Sequence, residues 1–548
     1  MNMNRLLPLA ASLMLGLAGC GGGGGGGATP PPPPPPPPPV TKAEAFQLLN
    51  QATFGATEAE AQRVIDMRIE AWIDDQMQKP ASLQLPFLQS LPPPQVGMFE
   101  LQRDRVDIFF RNALHGEDQL RQRVAFALSE IMVVSELGAL NNQPYSLASY
   151  YDMLAENAFA NYRDLIEKVT LHPAMGVYLS MLGNEKPNPS LNIRPDENYA
   201  RELMQLFSIG LVELNPDGSA VLDGQGAQVP TYNQAVIEGF AHVYTGWTYA
   251  GAPRFQDVFP TPSRQVLPMQ HWPNFHDTGA KTLLNGTTLP AGQSGEQDLG
   301  DALDNIFNHP NVGPFIAIRL IQRLVTSNPS PGYVSRVAGV FNNNGAGVRG
   351  DLGAVVKTIL LDEEARPDSR TEIDGKIKEP LLRLTQLWRA YDATSQSGRY
   401  PFSFAYFIFG QGPLQAPHVF NFFSPSFAPP GEIRDNNLVA PELEIATEYL
   451  NTFVTNYMFY QTFALNSTNG ELNEDDIYID FESEMLLAAD IDTLIDSVAD
   501  KLLAGEISET LRNEIAGMLA LVPDNETALR AAETIYLIVT SPEYAYQR

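Results

Sequence analysis

The chain has 548 residues, is 44% hydrophobic and carries a formal net charge of -29. That length and apolar content suffice for a large core. So negative a field repels phosphate backbones, which sets nucleic acid aside as a partner, and one cysteine cannot form a disulfide within the chain.

At the N-terminus, Arg5 precedes an apolar run from Leu6 to Leu17, followed by Leu17-Ala18-Gly19-Cys20. This is the anatomy of a bacterial lipoprotein signal: residues 1–19 are removed and Cys20 is acylated. The apolar run is too short to span a bilayer comfortably. An ordinary signal peptide with an incidental cysteine leaves the position of the sole thiol unexplained. Residues 20–40 then form a tether of seven glycines, Gly21 to Gly27, and ten prolines, Pro30 to Pro39. The proline part is a stiff rod of roughly 30 Å at about 3.1 Å per residue. Gly21, not Asp, follows Cys20, which points to the outer membrane. The expected location is the cell envelope, with the protein attached to the membrane through Cys20.

From Thr41 onwards the pattern is helical, and residues 41–548 read as a single large, mainly α domain: a helical array with long irregular loops and one short β-hairpin. Phe46, Leu49 and Ala52 begin it, and Val64, Ile65, Trp72 and Ile73 continue it up to the link Leu91-Pro92-Pro93-Pro94. Helices are predicted over 118–135, 151–171 and 195–209. Asn215-Pro216-Asp217-Gly218 marks the hairpin. A further helix spans about 233–244. Residues 248–297 are irregular and rich in Gly and Pro, the kind of segment that carries function. Helices resume over 300–308, 314–326, 333–341, 352–361 and 379–391. An aromatic and proline-rich segment covers about 402–430, and helices over 442–463, 490–504, 508–521 and 527–540 close the chain.

Several strings drop out as sites. Gly345-x-Gly347-x-x-Gly350 follows a helix instead of a strand and reads as a loop feeding the next helix. There is no H-E-x-x-H and no G-x-S-x-G, and an acylated Cys20 leaves no thiol for catalysis. No cofactor or metal set is specified; Glu238 and His242, one turn apart, are a weak pair on their own.

Two groups remain. On a helix, Glu197, Arg201, Gln205, Asn198 and Glu202 share one arc, and Tyr199, Leu203, Leu206, Phe207 and Met204 the other. Glu197, Arg201 and Glu202 are either acid–base or ligand groups, or a clamp in which Arg201 pairs with Glu197 and Glu202 with Arg319 or Arg323. His276 and Asp277, with Lys281 close behind, are either a base or ligand loop, or turn bonding ahead of Gly279. Trp247, Tyr249, Trp272 and Phe275, and the phenylalanines of 402–427, line a groove or fill the core under long loops.

The strings Glu44 to Gly55, Leu120 to Ser135, Glu197 to Gly210, Thr245-Gly246-Trp247 and His276-Asp277-x-Gly279-x-Lys281 resemble an uncharacterised bacterial family, domain of unknown function 1800. Gln322 to Pro329, Pro417 to Phe423 and Ser541 to Tyr544 complete the resemblance, which covers essentially Thr41 to Arg548. It implies an exported, mainly helical protein acting with an exported alkaline-phosphatase-like partner, and no established reaction. Family members often carry Glu and His where this chain has Gln205 and Phe207, which weakens a role that needs those two positions.

Two functions follow. One is a non-catalytic envelope component that presents or binds a polymer or partner, with Trp247, Lys281, Arg319 and Arg323 as binding residues. The other is a hydrolase or metal-dependent enzyme built on Glu197, Arg201, Glu202, His276 and Asp277. They separate on whether His276 reaches the Glu197/Glu202 face in an open pocket.

Overall fold

Thr41 and Glu44 close a capping box at the start of the first helix, Lys42–Ala52, where the Thr41 side chain accepts from the Glu44 backbone. Several later helices also start on a side-chain cap: Asn233, Ser294, Ser330, Asp351, Asp490 and Ser508 each cap the helix that follows. The structure, a computed structural model, describes residues 38–94, 97–367, 374–465 and 472–547. The predicted signal segment, Cys20 and nearly all of the predicted tether lie outside the described residues. Among the described residues the fold is mainly α, with 24 helices and three two-stranded sheets. None of these helices is long and apolar enough to cross a membrane. Val40–Arg548 form one compact unit.

The amphipathic stripes meet as the periodicity requires. The Leu352–Leu361 helix buries Val355, Val356, Ile359 and Leu360, and Thr527–Val539 buries Ile535, Ile538 and Val539. Trp388 sits fully buried with Phe110 and Phe402 edge-on, at ring separations of 5.3 and 5.7 Å. The aromatic segment therefore splits: Phe402, Phe409, Phe422 and Phe423 pack inward or partly inward, whereas Phe404, Phe407 and Phe420 are exposed.

Three departures from the predicted elements matter. Residues 151–171 are two helices, Pro144–Glu156 and Tyr162–Leu171, because Asn157 ends one and Asn161 caps the other. The break admits the 350–351 segment, whose Gly350 carbonyl accepts from Tyr162 N at 2.7 Å. The predicted hairpin at Asn215–Gly218 survives as isolated bridges such as Leu214 with Ala220. The three sheets lie elsewhere, pairing Trp247–Thr248 with Gln270–His271, Lys281–Thr282 with Thr288–Leu289, and Lys376–Ile377 with Tyr546–Gln547.

The third departure is in the 195–209 helix. It is α-helical only over Asn198–Glu202 and then widens into a π-turn over Leu203–Ser208. Ile209 N donates to Met204 O at 2.9 Å and Ser208 Oγ to Leu203 O at 2.6 Å, both across five residues. Such turns recur at functional sites. Here the extra residue rotates Gln205 off the arc of Glu197 and Arg201, and Gln205 and Leu206 line a different cavity.

Candidate functional site

The Glu197 face is a surface network. Arg201 Nη2 donates to Glu197 Oε2 at 3.0 Å, and Gln234 bridges Glu197 and Glu238 at 2.9 and 3.3 Å. Glu202 is buried and takes no hydrogen bond or ion pair in this network. It makes no ion pair with Arg319 or Arg323, and its Oε2 has no hydrogen-bond partner. Burial holds its carboxyl above the ordinary range, against the pull of Arg201.

His276 is buried and does not reach that face. Its Nε2 lies 2.9 Å from Asp298 Oδ2 and its Nδ1 3.1 Å from the Thr245 carbonyl. Lys281 Nζ meets the same Asp298 oxygen at 2.6 Å and also donates to the carbonyls of Asp277 and Gly279. Asp298 is thus one fully buried carboxylate between two basic side chains. Gly246 permits this approach: its φ is +84°, and a Cβ there would lie 3.0 Å from His276 N. Trp247 is buried and its ring packs on His271. Asp277 turns the other way, to the His242 Nδ1. Burial raises the Asp277 carboxyl, but the Gly279 amide and His242 outweigh it, so the net shift is downward. Among the described residues no group of three or more His, Cys, Asp or Glu is placed to hold a metal ion.

Arg319 and Arg323 lie at a second place, a cavity of about 80 Å³ lined by Glu130, Gln205, Arg319, Arg323, Phe420 and Asn421. Four of the strings that carry the family resemblance meet there. The helix Gln119–Ser129 packs on Val312–Leu324 and delivers Glu130, its C-cap, to Arg323. The π-turn delivers Gln205. The 417–423 segment delivers Phe420, half exposed at the mouth, and Asn421, buried in the left-handed conformation at φ +70°.

Behind the wall sits a buried charge cluster. Arg323 Nη1 is 3.3 Å from Glu130 and 3.7 Å from Glu379. Lys376, fixed by its pairing with the C-terminal strand, is 3.3 Å from Glu379 and 3.1 Å from Glu442. Gln411 Nε2 donates to both Glu130 and Glu379, at 2.9 and 2.6 Å. Arg123 and Lys376 both donate to the Arg323 carbonyl. Burial, with Glu379 nearby, drives Glu130 upward against Arg323; Glu379, buried too, is pulled down by Lys376, Arg323 and Arg123. The pair therefore holds its proton on Glu130.

One atom on this cavity, Asn421 Oδ1, is buried without a hydrogen-bond partner; Glu130 Oε2 and Arg323 Nη1 form no hydrogen bond but face each other as the 3.3 Å ion pair. Such an atom costs about 1–3 kcal/mol unless a polar ligand or solvent meets it. The cavity thus offers donors and acceptors at a mouth framed by an aromatic ring. Glu130 and Asn421 are absent from the residues singled out by sequence; the signal available was an acid inside the mostly apolar run Val124 to Val134. Gln205 was legible only as part of the wrong arc.

No curated protein and no solved structure matches the chain. Its helical composition, the strings meeting at the cavity and a family match over residues 47–546 agree with one another: the chain belongs to the family described as Protein of unknown function (DUF1800).

Proposed function

We propose that the protein is an exported, lipid-anchored component of the cell envelope, held at the outer membrane through acylated Cys20, that binds an envelope glycan at the Gln205–Asn421 cavity. It acts beside an exported alkaline-phosphatase-like protein. The observation that carries the binding reading is the meeting of the unpartnered Asn421 Oδ1 and the Arg319 and Arg323 guanidinium groups on one cavity with Phe420 at its mouth. Hydroxyl groups of a sugar both donate and accept, which suits such a mixed wall, and an aromatic ring at the rim suits the apolar face of a pyranose.

Affinity electrophoresis of the protein through purified envelope polysaccharides tests this. Retardation by at least one polymer, removed by Ser424→Trp at the cavity wall with the melting temperature preserved, is expected. Equal mobility in all polymers, or retardation untouched by Ser424→Trp, contradicts it.

A hydrolase reading is favoured by one observation. His242 binds Asp277 through Nδ1 with its ring one-third exposed, leaving Nε2 available as a base beside Glu238. In that reading His242 replaces His276 at a place apart from the Gln205–Asn421 cavity, and His242→Gln abolishes hydrolysis of an envelope polysaccharide without weakening its retention at that cavity.

A further inference from the structure

Arg319 is a cation with no anion of its own. Three basic side chains, Arg123, Arg323 and Lys376, surround the three carboxylates Glu130, Glu379 and Glu442, and Arg319 joins the cluster beside Arg323 on the cavity side. The ion pairs of this cluster run through Arg323 and Lys376. Arg319, one helical turn before Arg323, makes no ion pair with any described residue. Its guanidinium lies 5.1 Å from the Phe315 ring centre and donates to Gln322 Oε1 at 2.9 Å. The one charge acting on it is that of Arg323, and burial with that neighbour pushes Arg319 down to about 10. The cluster carries one surplus positive charge with all three carboxylates ionised, and two with the proton on Glu130.

Arg319 is partly buried, and a surplus charge at such a site is stabilised when an opposite charge joins it. The open side of the surplus is the cavity, since Arg319, Arg323 and Glu130 all line it. A guanidinium fork matches planar or tetrahedral oxyanions and is poorly matched to a bare halide. Both forks are backed by rings, Phe315 under Arg319 and Phe423 4.6 Å from Arg323, which orients their N–H edges instead of their faces. Asn421 Oδ1 still lacks a donor, and a hydroxyl next to the oxyanion supplies one. Phe420 is open to stack on a ring.

We infer that the cavity selects an acidic sugar, its oxyanion between Arg319 and Arg323, a neighbouring hydroxyl on Asn421 and its ring face on Phe420. This rests on the cavity being the glycan site. The long-range field of the -29 chain opposes such a ligand, but beyond about 8 Å it is screened at physiological ionic strength, and at contact the guanidinium groups prevail.

Titration calorimetry of the full mature chain with D-glucuronate, D-glucose and sulfate tests the inference. Glucuronate is expected to bind at least tenfold more tightly than glucose. Arg319→Gln is expected to lose that preference, Arg319→Lys to keep part of it, and Phe420→Ala to weaken glucuronate while leaving sulfate binding intact. Circular dichroism checks that each variant is folded, and Phe420, being exposed, keeps the test usable if both arginine variants unfold. Equal binding of glucose and glucuronate, or glucuronate binding indifferent to both Arg319→Gln and Phe420→Ala, overturns the acidic class while leaving a glycan site intact. Sulfate binding with no sugar binding overturns the sugar. If none of the three binds and no polysaccharide retards the protein, the glycan reading falls as well.

Discussion

Arg319 and Arg323 stand one helical turn apart on the same helix, yet only Arg323 reaches carboxylates, at 3.3 Å from Glu130 and 3.7 Å from Glu379. The difference follows from what each helix face meets. Arg323 faces the end of the Gln119–Ser129 helix and the Lys376–Glu379 segment, whereas Arg319 faces the cavity. Two residues identical in chemistry thereby differ: Arg323 lines the cavity while held by carboxylates, and Arg319 lines it with no ion pair among the described residues.

Asp298 shows a structural ion pair of another kind, with His276 and Lys281 both on one oxygen and the carboxylate fully buried. Removing it leaves two buried basic groups without a counter-charge. Asp298→Ala is expected to destabilise the protein by about 3–5 kcal/mol, read as a lower midpoint in urea. A change below about 1 kcal/mol would mean that His276 and Lys281 find other partners.

Glu202 behaves in the opposite way. Its carboxyl is buried, lacks a cationic partner and has an unsatisfied Oε2. Glu202→Gln removes an acid that the fold holds toward its neutral form, so the melting temperature at pH 7 is expected to stay level or rise. A clear drop would indicate an ion pair absent from the structure.

Asp152 provides a pH signature. Its two oxygens accept from Gln84 N and Leu85 N at 2.7 and 2.8 Å, but burial wins and the carboxyl is raised from 3.8 to about 7. Between those values the folded protein holds a proton that the unfolded chain has released. Stability from this group therefore falls as pH rises from about 4 to 7 and is level above, with a slope of at most about 1.4 kcal/mol per pH unit. Urea midpoints across this range should show a shallower decline in Asp152→Asn than in the parent. Identical slopes would show that Asp152 does not titrate there.

Gly210 ties the π-turn to the cavity. Its φ is +75°, and a Cβ would lie 3.2 Å from the Phe315 ring that backs Arg319. Gly210→Ala is expected to cost about 1–3 kcal/mol from the left-handed backbone and to weaken glucuronate binding by shifting Phe315. Unchanged binding in the folded variant would separate the helix end from the site.

Much of the helical scaffold was legible because apolar spacing is local: the 352–361 helix is found as read, and the 490–504, 508–521 and 527–540 helices are found to within a residue or two. The Gly345–Gly350 loop is also as read, with Asn343 and Asn344 side chains accepting from its amides and Asp351 capping the helix beyond. The π-turn was not legible, because the same apolar residues serve either winding and the choice rests on Ser208 and the neighbouring helices. Nor was the charge cluster: Glu130, Glu379, Asn421 and Glu442 come from remote segments and each alone reads as an ordinary polar residue, and Arg323 reads as a partner of Glu202 instead of these. The arc of Glu197 to Gln205 fits an ideal α-helix and fails where that helix widens.

The most direct measurement is anomalous diffraction from crystals grown with selenate. The account predicts a selenium peak within hydrogen-bond distance of both the Arg319 and Arg323 guanidinium groups, lost in Arg319→Gln crystals. A well-ordered cavity without selenium, or selenium only at surface lysines and helix ends, would contradict it.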